Sequence, residues 1–266
     1  MGSAVCTRVL RSLRLSLPLL AASAVVMAVP TANAATSPGL GMASTFSILS
    51  STYTNTVAGT TISGDLGYTT GPAVVPTVGG TIFHPPDSTY TQAGIDQGTA
   101  LTALAIQPCT FTFANGAIDL ATDTTHGAIG VYTPGVYCTG SSSAASIGTA
   151  GITLTGSGTY IFRIHGALTT VANSAVRVAN GACAGDAFWT PDAATTLGAN
   201  STFLGTDIDA SGITIGSTVT WTGRALAFGG TVSTDADTIN TVAGCSALTP
   251  AAPAAPAVPA GPRFTG

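Results

Sequence analysis

The sequence predicts an all-β chain wound as a β-solenoid, and three observations predict it. From Gly151 to Val242, short strands alternate with breaks of Gly, Ala, Ser, Asn and Asp. These strands come in threes. One coil reads Ile161-Phe-Arg-Ile164, Ala167-Leu-Thr-Thr170 and Ala175-Val-Arg-Val178. The next reads Ala187-Phe-Trp-Thr190, Ala194-Thr-Thr-Leu197 and Thr202-Phe-Leu-Gly205. A third runs Thr206-Asp-Ile-Asp209, Gly212-Ile-Thr-Ile215 and Thr218-Val-Thr-Trp221, and a fourth Arg224-Ala-Leu-Ala227, Gly230-Thr-Val-Ser233 and Asp237-Thr-Ile-Asn240. The coil starts at 161, 187, 206 and 224 are 26, 19 and 18 residues apart, the uneven period of stacked three-strand coils. Composition agrees: 43 of the 232 residues from Ala35 onward are threonine, whose branched side chain suits a pleated surface.

Taken in order, the chain opens with Arg8, Arg11 and Arg14, then an apolar run through Val29 and the small residues Ala32-Asn33-Ala34. Residues 1–34 thus read as a secretory signal peptide, and the expectation is a secreted, extracellular chain with no membrane attachment after cleavage. Residues 35–245 form the solenoid domain. Thr45-Phe-Ser-Ile-Leu49 alternates as a strand, and Thr52-Tyr-Thr-Asn55 and Thr60-Thr-Ile-Ser-Gly64 follow at short intervals, one coil separated in sequence from the main stack. Gly67 to Pro86 reads as a Gly/Pro-rich loop. Residues 87–107 are the one good helix candidate. Asp87 or Ser88 caps it, Ala93, Asp96, Gln97, Ala100, Leu101, Leu104 and Ala105 recur at helical spacing, and Pro108 stops it. Gly94 and Gly98 weaken it, so it is expected to survive by packing along the solenoid's side. Cys109-Thr-Phe-Thr-Phe113 and Gly130 to Cys138 resume strand character, and residues 246–266 collapse to a Pro/Ala-rich flexible tail.

Charge and cysteine usage narrow the partners. After residue 34 there is no lysine and no glutamate, and four arginines face eleven aspartates for a net charge of −7. Nucleic acid and anionic membrane both need a cationic surface and are excluded. Four cysteines remain in that part: Cys109, Cys138, Cys183 and Cys245. An even number in a secreted chain points to two disulfides, with three pairings possible. Cys109 with Cys138 and Cys183 with Cys245 are favoured because each closes a local unit. No Cys/His spacing suggests a metal, and no cofactor is expected.

Alternation assigns the faces. The first step of each coil, with Phe162, Phe188, Trp189, Leu226 and Phe228, is apolar on both sides, and the helix is its expected cover. On the second step Leu168, Leu197, Ile213, Ile215 and Val232 point inward, leaving the outward row Thr169, Thr196, Thr214 and Thr231. On the third step Val176, Val178, Phe203, Val219 and Ile239 are inside, with Arg177, Thr202, Thr218, Thr220 and Thr238 outside. Coils stack about 4.7–4.9 Å apart, so one threonine per coil becomes a ladder of hydroxyls and methyls at a near-crystalline repeat. A nearly uncharged, rigid ladder of this kind meets the physical requirement for binding ice: many weak matched contacts with little ordering entropy left to lose.

The segments Ala43-Ser-Thr-Phe-Ser-Ile-Leu49, Thr60-Thr-Ile-Ser-Gly-Asp-Leu-Gly67, Tyr132-Thr-Pro-Gly-Val-Tyr137, Tyr160-Ile-Phe-Arg-Ile164, Ala187-Phe-Trp189 and Gly223-Arg-Ala-Leu-Ala227 occur in that order. Together they make the stretch from about Leu40 to Val242 resemble the bacterial and fungal ice-binding proteins of the DUF3494 family. The resemblance implies a discontinuous, right-handed β-solenoid of triangular cross-section, with one long α-helix packed along one face and the amino-terminal strands completing the stack at one end. It implies a monomer whose partner is ice, and a flat face as the site. The family's loose motif (Thr, then Ala or Gly, any residue, then Thr or Asn) falls on Thr170-Val-Ala-Asn173, Leu197-Gly-Ala-Asn200, Ile215-Gly-Ser-Thr218 and Thr234-Asp-Ala-Asp237, a degraded version of the pattern. The expected ice-binding residues are therefore Thr169, Thr170, Asn173, Thr196, Asn200, Thr214, Thr218, Thr231 and Thr234.

Two rival classes remain. A polysaccharide-binding or polysaccharide-processing solenoid would use Asp207-x-Asp209 or Asp235-x-Asp237, since carboxylates two apart on a strand share a face. Only Arg224 among basic residues lies near either pair, so solvated corner residues are the better account, and no enzyme is expected. His84, His126 and His165 are scattered, with no serine–histidine–acid order. A cell-surface adhesin or structural module, its Pro/Ala tail a stalk remnant, is the other alternative.

Overall fold

The computed structural model describes residues 34–242 and Cys245. The expected signal peptide and Pro/Ala tail lie outside the described residues. Every strand pairing is parallel, as coils stacked on one another require, and the strands form one large sheet and a three-stranded one. The fold is the discontinuous β-solenoid, with one long helix along one face.

Discontinuity comes from the amino-terminal strands. Phe46–Asn55 lies beside Thr220–Thr234, with Ile48 opposite Ala225 and Tyr53 opposite Val232, so an early coil caps a late one. The stretch read as a Gly/Pro loop holds two further rungs. Thr77–Val78 extends Thr61–Ile62 and Ile82–Phe83 extends Asp65–Gly67, where each short segment is captured by the strand already beside it. Two-residue strands leave almost no alternation in a sequence, which is why this coil was hidden.

Long strands turn the corners without a break. Thr220–Thr234 runs across all three faces, burying Trp221, Leu226 and Val232 in turn. It bends at Gly223, which pairs with Gly205 below; a Cβ on Gly223 would drive into the Gly205 carbonyl oxygen, so only glycine fits. Inside runs a column of aromatic rings. Tyr137 stacks on Phe162 at 5.3 Å, Phe162 on Trp189 at 4.2 Å, and Phe203 meets Trp221 edge-on at 5.0 Å. The buried indoles are satisfied: Trp189 donates to the Leu204 carbonyl and Trp221 to that of Gly205.

The helix spans Ser88–Ala105, and Asp87 caps it by accepting from the Thr89 amide at 2.7 Å. Its inner face is Tyr90, Ala93, Gly94, Gln97, Ala100 and Leu104. It packs on Leu49, Ile161, Phe188 and Leu226, the outward apolar residues of the first face, while Phe162 and Trp189 point into the coil. Gly94 has a reason beyond tolerance. A Cβ there would meet the Phe228 ring at 2.6 Å, so its bareness is what lets the helix approach. Polar ties finish the docking: Gln97 accepts from the Phe228 amide at 3.0 Å, Tyr90 donates to the Ser50 carbonyl at 2.9 Å, and Arg163 donates to the carbonyls of Ala105 and Gln107 at the helix end.

Both favoured disulfides form, Cys109–Cys138 and Cys183–Cys245. One inward assignment fails. Val178 is exposed because, among the described residues, the next coil pairs with its strand through the Ala175–Thr202 bridge alone, which leaves Val178 uncovered.

Candidate functional site

The second face is built from the ends of long strands. Ser146 pairs with Thr169, Thr169 with Thr196, Thr196 with Thr214, Thr214 with Ser233, and Ser233 with Thr54. Thr169, Thr196 and Thr214 are exposed, and the flanking Ser146, Ser233 and Thr54 are half-buried. Beneath the row lie buried Leu168, Thr195, Ile213, Val232 and Tyr53, so each hydroxyl and methyl stands on a packed coil. Asp119, opposite Ser146, ends the row; its carboxylate is occupied with the amides of Ala121 and Gly148.

The other six expected residues sit elsewhere. Thr231 is exposed but lies two residues ahead of the row, opposite Thr52, and Ser233 takes its place. Thr170 and Thr234 turn inward. Side chains alternate along a strand, so with Thr169 outward its neighbour must face the core. The Thr170 hydroxyl accepts from the Gly198 amide at 2.9 Å, and that of Thr234 meets the Tyr53 hydroxyl at 2.7 Å. Neither side chain reaches a surface partner.

Asn173, Asn200 and Thr218 stand together at the corner between the second and third faces. All three are exposed and left-handed, with φ of 62°, 57° and 59°. Asparagine tolerates that conformation, while a branched threonine is strained in it. Coil-to-coil hydrogen bonds hold them: Asn173 N to the Ala199 carbonyl, Asn200 N to Ser217, and Thr218 N to Asp235, each 2.9 Å. The Thr218 hydroxyl also donates to the Asn200 side-chain oxygen. In three of its four copies the degraded motif thus contributes a corner through its last residue, and not a face through its first; the fourth ends on buried Asp237, with left-handed Ala236 taking the corner.

Of the four aspartates in the acidic pairs, only half-buried Asp235 stands at a corner as expected. Asp207, Asp209 and Asp237 are fully buried. Asp209 accepts from the amides of Thr195 and Ser211, and Asp237 from those of Val219 and Asp235, so both tie one coil to the next. Burial pushes the Asp237 carboxyl up to about 7, its two amide donors opposing. Asp207 has no partner for either oxygen; the Thr195 hydroxyl is close enough to favour its charge slightly but not in bonding geometry. Burial, then the neighbouring Asp209 charge, holds Asp207 well above the usual carboxylate range. Enclosed carboxyls of this kind reach no substrate. His126 is equally structural, stacked on Tyr132 at 4.1 Å and held by Asp123 at 3.0 Å. His165 pairs with Asp192 across adjacent coils at 3.0 Å. Among the described residues the one cluster with metal-ligand types is Cys183, Asp186 and Cys245, and its sulfurs are joined to each other.

The feature missed from sequence lies on the third face, where Thr61 and Thr77 join Thr238, Thr220 and Thr202. A signal was available: Thr61-Ile-Ser63 and Thr77-Val-Gly79 repeat the pattern of Thr238-Ile-Asn240.

Comparison with known proteins places this architecture. A family model described as Ice-binding-like matches residues 48–240. An ice-binding protein of Nostoc sp. (strain HG1) is 34% identical over 224 residues, 79% of this chain and 76% of that protein. One from Flavobacterium frigoris (strain PS1) is 34% identical over 200 residues, 71% of each. Among solved structures, the ice-binding protein of Antarctomyces psychrotrophicus superposes with a TM-score of 0.68 at 28% identity, covering 78% of this chain and all of that one. Sequence match and superposed fold agree, and the chain belongs to the ice-binding-like family.

Proposed function

We propose that this chain, outside the cell, binds the surface of ice crystals through its second face and so inhibits ice growth and recrystallisation, acting as a monomer and without catalysis. The observation that carries the reading is the in-register row Thr169, Thr196 and Thr214, exposed on consecutive coils and flanked in the row by uncharged Ser146 and Ser233. Each contact with an ice lattice is weak, so affinity rests on number and on preorganisation. Backbone ladders and the aromatic column beneath fix the row before contact, leaving little ordering entropy to oppose adsorption. Long charged side chains would hold mobile hydration water across such a plane, and threonine presents only a hydroxyl and a methyl. Family membership supports ice as the partner.

The test is a cold-stage recrystallisation assay with the mature chain. Grain growth slower than with an inert protein at equal concentration is expected, and Thr196→Tyr, which lifts a ring above the row, abolishes most of that effect while leaving the melting temperature in place. Grain growth indistinguishable from the inert control in the wild type refutes the reading.

A further inference from the structure

The third face carries a longer ladder than the second. Thr77 pairs with Thr61, Thr61 with Thr238, Thr238 with Thr220, and Thr220 with Thr202. All five are exposed, against three consecutive exposed threonines on the second face. They come from distant parts of the chain and meet only because the amino-terminal strands dock on the last coil. Five rungs at the parallel-strand spacing span roughly 19 Å. Ile62, Ile239, Trp221 and Phe203 lie buried directly underneath, so the row rests on the core.

Its borders are as informative as the row. Two residues further along the strands stand Ser63, Asn240 and Thr222, all uncharged. On the other side is the corner with Asn200, Thr218, Ala236, Gly59 and the exposed Val75. Half-buried Asp235 lies in that corner, beside Thr218, and along the strands the first charged side chain is Arg177, one coil beyond Thr202. A protein partner is normally gripped by aromatic or arginine anchors, and these five rungs expose none. A nucleic acid or a cation needs clustered charge, which the five rungs lack. What remains is a flat, neutral, rigid row of hydroxyls and methyls, which adjoins the second face at the corner where Thr218 donates to Asn200 of the next coil.

We propose that the third face is a second ice-binding plane, so that the protein engages ice through two faces meeting at the Asn173–Asn200–Thr218 corner and adsorbs to more than one set of crystal planes. The proposal rests on the ice-binding reading of the chain. Fluorescently labelled mature protein, frozen into a single-crystal ice hemisphere, tests it. The wild type is expected to illuminate two sets of planes, Thr220→Tyr to lose one, Thr196→Tyr to lose the other, and the double variant to lose both. Thr61→Tyr, in a separate part of the chain, repeats the Thr220 result if that variant folds poorly, and Thr102→Tyr on the exposed side of the helix leaves both sets intact. Wild-type binding that persists unchanged in Thr220→Tyr and Thr61→Tyr, and vanishes with Thr196→Tyr alone, overturns the second plane while ice binding stands. No illuminated plane for the wild type overturns both. A wild-type dimer that Thr220→Tyr turns into a monomer assigns the face to a second copy and likewise overturns the proposal.

Discussion

Asp207 offers a prediction that the interior geometry makes quantitative. Its carboxyl sits inside the coil with neither oxygen bonded, and burial keeps it protonated well above the usual range. In the unfolded chain the same group ionises near pH 3.9. Above that pH the unfolded state has released the proton and the folded state still holds it. The folded state therefore binds more protons, and stability falls as pH rises until the folded carboxyl itself ionises. Each pH unit in that window removes about 1.4 kcal/mol. At roughly 2–4 °C per kcal/mol for a domain this size, the melting temperature drops about 3–6 °C per pH unit. Asp207→Asn has nearly the same shape and no proton to lose. Thermal unfolding of wild type and variant at pH 5 and pH 6 removes the background from Asp237, which acts in both, and reads Asp207 together with its coupling to Asp209. The expected result is a gap that shifts by about 3–6 °C in the variant's favour between the two pH values. A gap that stays constant refutes the reasoning, because it means that Asp207 is ionised in the folded protein.

Other consequences rest on single contacts. Gly94→Val pushes a side chain into the Phe228 ring and should cost about 1–3 kcal/mol by overpacking, read as a lower melting temperature, whereas Gly98→Ala meets nothing within 4 Å and should gain about 0.4–1 kcal/mol. Thr170→Val removes the acceptor of the half-buried Gly198 amide at a cost of about 1 kcal/mol without changing recrystallisation inhibition, while Thr169→Tyr, one residue away and exposed, does the reverse. If the two variants behave alike in both assays, the inward and outward assignments are wrong.

The legible part of this protein was whatever depends on local period. Three-strand coils, the helix cap at Asp87, its stop before Pro108 and the outward Thr169, Thr196 and Thr214 all come from alternation and spacing within a few residues. Thr231 was misplaced for the same reason: in the fifteen-residue strand Thr220–Thr234 the chain bends through a corner, and counting by twos cannot carry register across it. The acidic pairs read as solvated because Asp at a turn usually is, and only the packed coil shows Asp209 and Asp237 spent on amides of the neighbouring coil.

By itself, then, the sequence determined that the chain coils, that one helix needs a partner surface, and that threonine would line the outside. Tertiary structure alone decided which threonines stand next to one another. Ladder neighbours such as Thr61 and Thr238 are set by where the amino-terminal strands dock, a packing choice made by Ile62 on Ile239 and Tyr53 on Val232 across most of the chain's length. Local alternation fixes the side of a strand a residue occupies; only coil-on-coil burial of apolar surface fixes which coil lies against it.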